Sequence, residues 1–92
     1  MLLIKDGEVV RDDNKLIISG IKDLKARLKE HKNSEIKINF ALIGCYMEIY
    51  AINNSGLTFI GYYSNQVKDS IEMKTFLREN NFKCHNYSAI KF

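Results

Sequence analysis

The chain has 92 residues, 46% of them hydrophobic and 27% charged, with a formal net charge of +3. That is one domain spanning 1–92, able to bury only about 60–65% of its unfolded surface, which leaves no room for a separate cofactor domain. Proline is absent and glycine is held to five, which excludes a linker or low-complexity segment, and no apolar run reaches the roughly 18 residues of a membrane helix.

The N-terminus reads as short strands. Asp6-Gly7, between Leu2–Lys5 and Glu8–Arg11, is a two-residue hairpin signal because both positions tolerate positive φ. Asp12-Asp13-Asn14 forms a second turn cluster. Leu16-Ile17-Ile18 follows as a strand. The opening Met1-Leu2-Leu3-Ile4 is too short for the apolar core of a signal peptide, so the cytoplasm is the expected location.

Ser19 is placed to cap a helix over residues 20–32, with Ile21, Leu24 and Leu28 as its apolar seam. Residues 36–63 read as a three-stranded antiparallel meander, turning at Gly44-Cys45 and again at Asn53-Asn54-Ser55-Gly56. A two-residue first turn sets Ile43 opposite Tyr46. Alternation then gathers Ile36, Ile38, Phe40, Leu42, Met47, Ile49, Ala51, Thr58, Ile60 and Tyr62 on a core face. The other face is mixed and aromatic, with Lys37, Asn39, Glu48, Tyr46, Tyr50, Phe59 and Tyr63.

Ser64 or Asn65 is positioned to cap a second helix reaching Glu79, with Val67, Ser70, Ile71, Met73 and Leu77 as its apolar stripe and Phe76 off it. Asn80-Asn81 is its expected stop, since Asn tolerates the left-handed conformation. Residues 82–92 read as a last strand and tail carrying Phe82, Cys84, Tyr87 and Ile90. The expectation is an α+β fold: an antiparallel sheet built from the meander, the N-terminal hairpin strands and a C-terminal strand, with two helices on one face.

Charge is unevenly spread. Residues 1–14 carry −2 and residues 15–37 carry +4, while between Ile38 and Val67 the only charge is Glu48. Lys22, Lys25, Lys29 and Lys32, spaced i, i+3, i+7 and i+10, form a stripe beside the apolar seam of the first helix. Such a stripe can steer an acidic protein or neutralise phosphates. A solvated face is the competing reading. Codon bias strengthens that competitor, because Phe, Tyr, Met, Ile, Asn and Lys fill 45 positions against 12 for Gly, Ala, Arg and Pro.

The second candidate surface is aromatic: Tyr46, Tyr50, Phe59 and Tyr63, with Tyr50 opposite Phe59. Such a face suits a protein interface, a homodimer contact or a platform for stacked bases, unless the chain termini cover it. Cys45, Cys84, His31 and His85 lack the paired spacing of a structural zinc site, so neither metal nor cofactor is expected. There is no glycine-rich phosphate loop, no Gly-x-Ser-x-Gly and no His-Glu-x-x-His.

The resulting expectation is a small non-enzymatic protein that binds another macromolecule. It is read as a regulator or inhibitor of phage, viral or bacterial origin, in the manner of immunity proteins, antitoxins or inhibitors of host defence. Its partner is expected to be a protein. The alternative is an RNA- or single-stranded-DNA-binding domain using the lysines and the tyrosines. A small enzyme built around Cys45 or His85 is the weakest of the three readings.

Overall fold

The computed structural model describes residues 1–40 and 45–86. Ala41, Leu42 and Ile43 of the expected first meander strand, Gly44 of the expected first turn, and Tyr87 and Ile90 of the expected last strand and tail lie outside the described residues. The architecture is a small α+β fold with both helices on one face of the main sheet.

β1 (Leu2–Lys5) and β2 (Glu8–Asp12) pair antiparallel around Asp6 and Gly7, whose φ values of 54° and 81° are those of the expected tight turn. This hairpin forms a two-stranded sheet of its own instead of joining the main sheet. Met1, Leu3, Val9 and Val10 stay exposed on it. The Asp12 carboxylate anchors it to the body by accepting from the backbone N–H of Leu16 at 2.6 Å and of Ile17 at 2.9 Å.

Leu16-Ile17-Ile18 runs along the outer edge of β5 (Gly56–Ser64). Ile18 N–H donates to the Tyr62 carbonyl, and Tyr62 N–H donates to that of Leu16, each at 2.8 Å. The pairing is parallel and limited to one bridge, Ile17 with Tyr62.

Helix α1 covers only Ile21–Arg27. Beyond it the chain tightens into i→i+3 bonds, from His31 N–H to the Leu28 carbonyl and from Ser34 N–H to that of His31. Ser19 does not cap the helix; Gly20 holds that position without a side-chain bond. Instead Asp23 reaches back to accept from Ser19 N–H at 2.9 Å and from its hydroxyl at 3.3 Å. A carboxylate in the first turn is the stronger acceptor.

β3 (Glu35–Phe40), β4 (Tyr46–Asn53) and β5 form the antiparallel meander. Ile36 pairs with Ala51, Ile38 with Ile49 and Phe40 with Met47. A two-residue Gly44-Cys45 turn would instead set Phe40 opposite Ile49. The register is therefore displaced by two residues, and because the side-chain period is also two, the core face survives unchanged. At the second turn Asn53 pairs with Gly56, and Ser55 N–H donates to the Asn53 side chain at 2.8 Å.

The sheet order is β5-β4-β3-β6, and β6 (Cys84–Asn86) lies parallel to β3. A parallel return needs a long crossover, which the 13-residue α2 (Val67–Glu79) supplies by passing from the β5 edge to the β6 edge. Neither Ser64 nor Asn65 caps α2; Gln66 does, through its backbone alone. The helix buries Ser70, Met73 and Leu77 and turns Phe76 inward, while Val67 and Ile71 of the expected stripe face solvent. Its end is a Schellman motif: Asn81 has φ 61°, Asn81 N–H donates to the Arg78 carbonyl, and Phe82 N–H donates to that of Leu77. Leu24 and Leu28 meet Met73 and Leu77 over Ile36, Ile38, Met47 and Ile49, which closes the core.

Candidate functional site

The lysine stripe survives the shortening of α1. Lys22 and Lys25 stand on the helix, Lys29 and Lys32 on the tightened turns after it, and all four side chains are exposed. They border one groove of about 550 Å³ between α1 and the end of α2. Ala26 and Leu28 line one wall, and Phe76, Asn80 and Phe82 line the other side and floor. Both phenylalanines are half-buried and packed on the core, so the floor is fixed before anything binds.

Among the described residues, none of the four lysines pairs with a carboxylate. Of the two acids between Lys22 and Lys32, the exposed Glu30 makes no ion pair with the four lysines among the described residues, and Asp23 is committed to Arg27 on the opposite side of α1, at 3.0 Å. That guanidinium holds the Asp23 carboxyl below its ordinary range. No ion pair among the described residues therefore offsets the positive charge of the groove rim. Ammonium groups around an apolar floor can attract an anionic ligand and seat an apolar part of it.

Phe76, Phe82 and Asn80 were not among the binding residues expected from the sequence. The visible signal was Phe76 lying off its apolar stripe: a large ring out of phase with a helix's core face has to be housed elsewhere.

The aromatic face needs one correction. A bulge in β5 leaves Ile60 without a partner, since Ile49 faces Gly61 while Tyr50 faces Phe59. Beyond it every side chain changes face. Tyr63, expected outside, is 3% exposed in the core, and Tyr62, expected inside, joins the outer face. The sequence signal was Gly61, a strand glycine of the kind that marks a bulge.

The rings on that face are Tyr50, Phe59 and Tyr62, with Phe59 at the centre: its centroid lies 5.2 Å from that of Tyr50 and 5.1 Å from that of Tyr62. Tyr46 is half-buried further along β4. The Tyr50 hydroxyl donates to Glu48 at 3.4 Å, and burial together with that carboxylate raises its pKa. The helices pack on the opposite face of the sheet, so the groove and the rings occupy different layers. They cannot act as one footprint.

Cys45 and Cys84 are both free and exposed. Among the described residues no cluster of His, Cys, Asp or Glu is arranged to hold a metal ion, and no helix is long and apolar enough to cross a membrane. Comparison with protein-family models, with curated proteins and with solved structures finds no match to this chain.

Proposed function

We propose that this protein is a non-enzymatic regulator or inhibitor that works by occupying the surface of another protein, with the lysine-bordered groove as its principal contact. The observation that carries this reading is the convergence of Lys22, Lys25, Lys29 and Lys32, unpaired among the described residues, on a groove floored by Phe76 and Phe82. An apolar centre inside a charged rim is how protein interfaces are built, and the rim charge speeds and orients encounter. Size and codon bias suit an accessory protein of an AT-rich bacterium or its virus. The outer rings offer a second contact area suited to self-association.

The test compares wild type with the Lys25→Glu/Lys29→Glu double variant. A partner cross-linked to the wild type in cells, then purified and recombined, should bind at least tenfold more weakly to the variant. Undiminished binding would remove the groove from the reading. Equilibrium sedimentation of wild type and Phe59→Ala at two concentrations tests the ring face, where self-association should be lost in the variant.

Nucleic acid remains the second reading, supported by four lysines within reach of phosphates. The layer separation counts against it, because the rings that could stack bases lie away from those lysines. Glu48 also stands among the rings.

A further inference from the structure

We infer that the groove receives an acidic segment of the partner protein, with one large apolar side chain of that segment seated on Phe76 and Phe82; this rests on the protein-binding reading above. Charge complementarity is the first support. The four rim lysines are unpaired among the described residues, and Arg27 draws Asp23 away from them. A ligand bearing carboxylates supplies the ion-pair partners that the described residues do not.

The floor is the second support. Phe76 and Phe82 are half-buried and packed against the core, which leaves an apolar seat for a side chain between the lysines.

Asn80 is the third support. Its side-chain N–H donates to the Phe76 carbonyl at 2.8 Å, which fixes the amide at the groove edge. Its Oδ1 is then an acceptor for a backbone N–H of the incoming segment. A peptide carries such donors at every residue but proline, whereas the sugar–phosphate backbone of DNA carries none.

A second copy is the rival occupant, because the N-terminal hairpin is itself acidic and exposes Val9 and Val10.

The experiment uses fluorescence anisotropy with the intact chain and a labelled glutamate-rich peptide containing one tryptophan. Comparison probes are the same peptide with alanine for tryptophan and an oligothymidylate of matching charge. Wild type should bind the tryptophan peptide. Affinity should fall about tenfold for the alanine peptide and about tenfold for Lys25→Glu/Lys29→Glu, with Lys68→Glu, outside the groove, unchanged. Binding should also weaken as salt rises from about 0.1 M to about 1 M, where the screening length shrinks from about 10 Å to about 3 Å.

Equal affinity for the two peptides, or no loss in the double variant, overturns the inference. Tighter binding of the oligothymidylate assigns the stripe to nucleic acid. Displacement of the peptide by rising protein concentration, with a doubled mass, assigns the groove to a second copy. No peptide binding, while the purified cellular partner still needs Lys25 and Lys29, overturns the acidic segment and leaves the broader reading standing.

Discussion

The Arg27 guanidinium donates to the carbonyl oxygen of Ile60 at 3.0 Å, joining α1 to the residue at which β5 breaks its pairing. A bulge frees backbone groups that the ladder no longer satisfies. Arg27 supplies the donor, and it also bonds the carbonyls of Lys15 and Ile17 and both oxygens of Asp23. One planar fork thereby holds the first helix, the edge segment and the bulge together. Gly61 makes this approach feasible: a Cβ there would lie 2.7 Å from the Arg27 guanidinium and 2.8 Å from the Leu16 carbonyl oxygen.

Replacing Arg27 with methionine should cost about 2–4 kcal/mol, because three carbonyls lose a charged donor at once. Gly61→Ala should cost a similar amount through the clash and its φ of 153°. The two losses should combine to less than their sum, since one cause of the clash is gone in the double variant. Urea unfolding of the four proteins measures this, and strict additivity would mean the two residues act independently.

The Arg27 bond lowers the Asp23 pKa relative to the unfolded chain. A carboxylate of that kind contributes stability that is fully present above its unfolded value, about 3.9. The contribution fades as pH falls through the lower folded value. Asp23→Asn should therefore be less stable than wild type at neutral pH, with the gap narrowing steadily below about pH 4. Denaturation midpoints across that window provide the check; a gap that widens on acidification contradicts the assignment.

Adjacent tyrosines report the bulge directly. Tyr63→Ala should cost about 3–5 kcal/mol, as for a large core side chain. Tyr62→Ala should cost about 1–2 kcal/mol, mainly its edge contact with Phe59 and partial burial. An unbulged strand would reverse the order, so thermal unfolding of the pair decides between the two registers.

At the end of α2, Asn81 occupies a left-handed conformation at φ 61°. Alanine there should destabilise by about 1 kcal/mol, whereas glycine should be neutral or slightly stabilising. Because Phe82 follows directly and lines the groove, Asn81→Ala should also weaken binding at the lysine groove. An Asn81→Ala protein that binds as well as Asn81→Gly would uncouple the cap from the site.

Much of this protein is written in local sequence. The Asp6-Gly7 turn, the Asn53–Gly56 turn, the Asn81 stop, the apolar faces of β3 and β4 and the spacing of the four lysines all follow from backbone preferences and from periods of 2 and 3.6. Those effects act over a few residues, so a linear pattern contains them. The tertiary structure decided the rest. Asp23 and Arg27 sit four apart on a helix, but only the fold brings the carbonyls of Lys15, Ile17 and Ile60 to the same guanidinium. That convergence accommodates the bulge that exchanges Tyr62 with Tyr63, a reversal that strict alternation cannot foresee. The groove has the same origin. The lysine stripe is a property of one segment, but its apolar floor comes from Phe76 and Phe82, about fifty residues further along the chain. They reach it because β6 returns parallel to β3, which forces α2 to cross the whole sheet and set its end against α1.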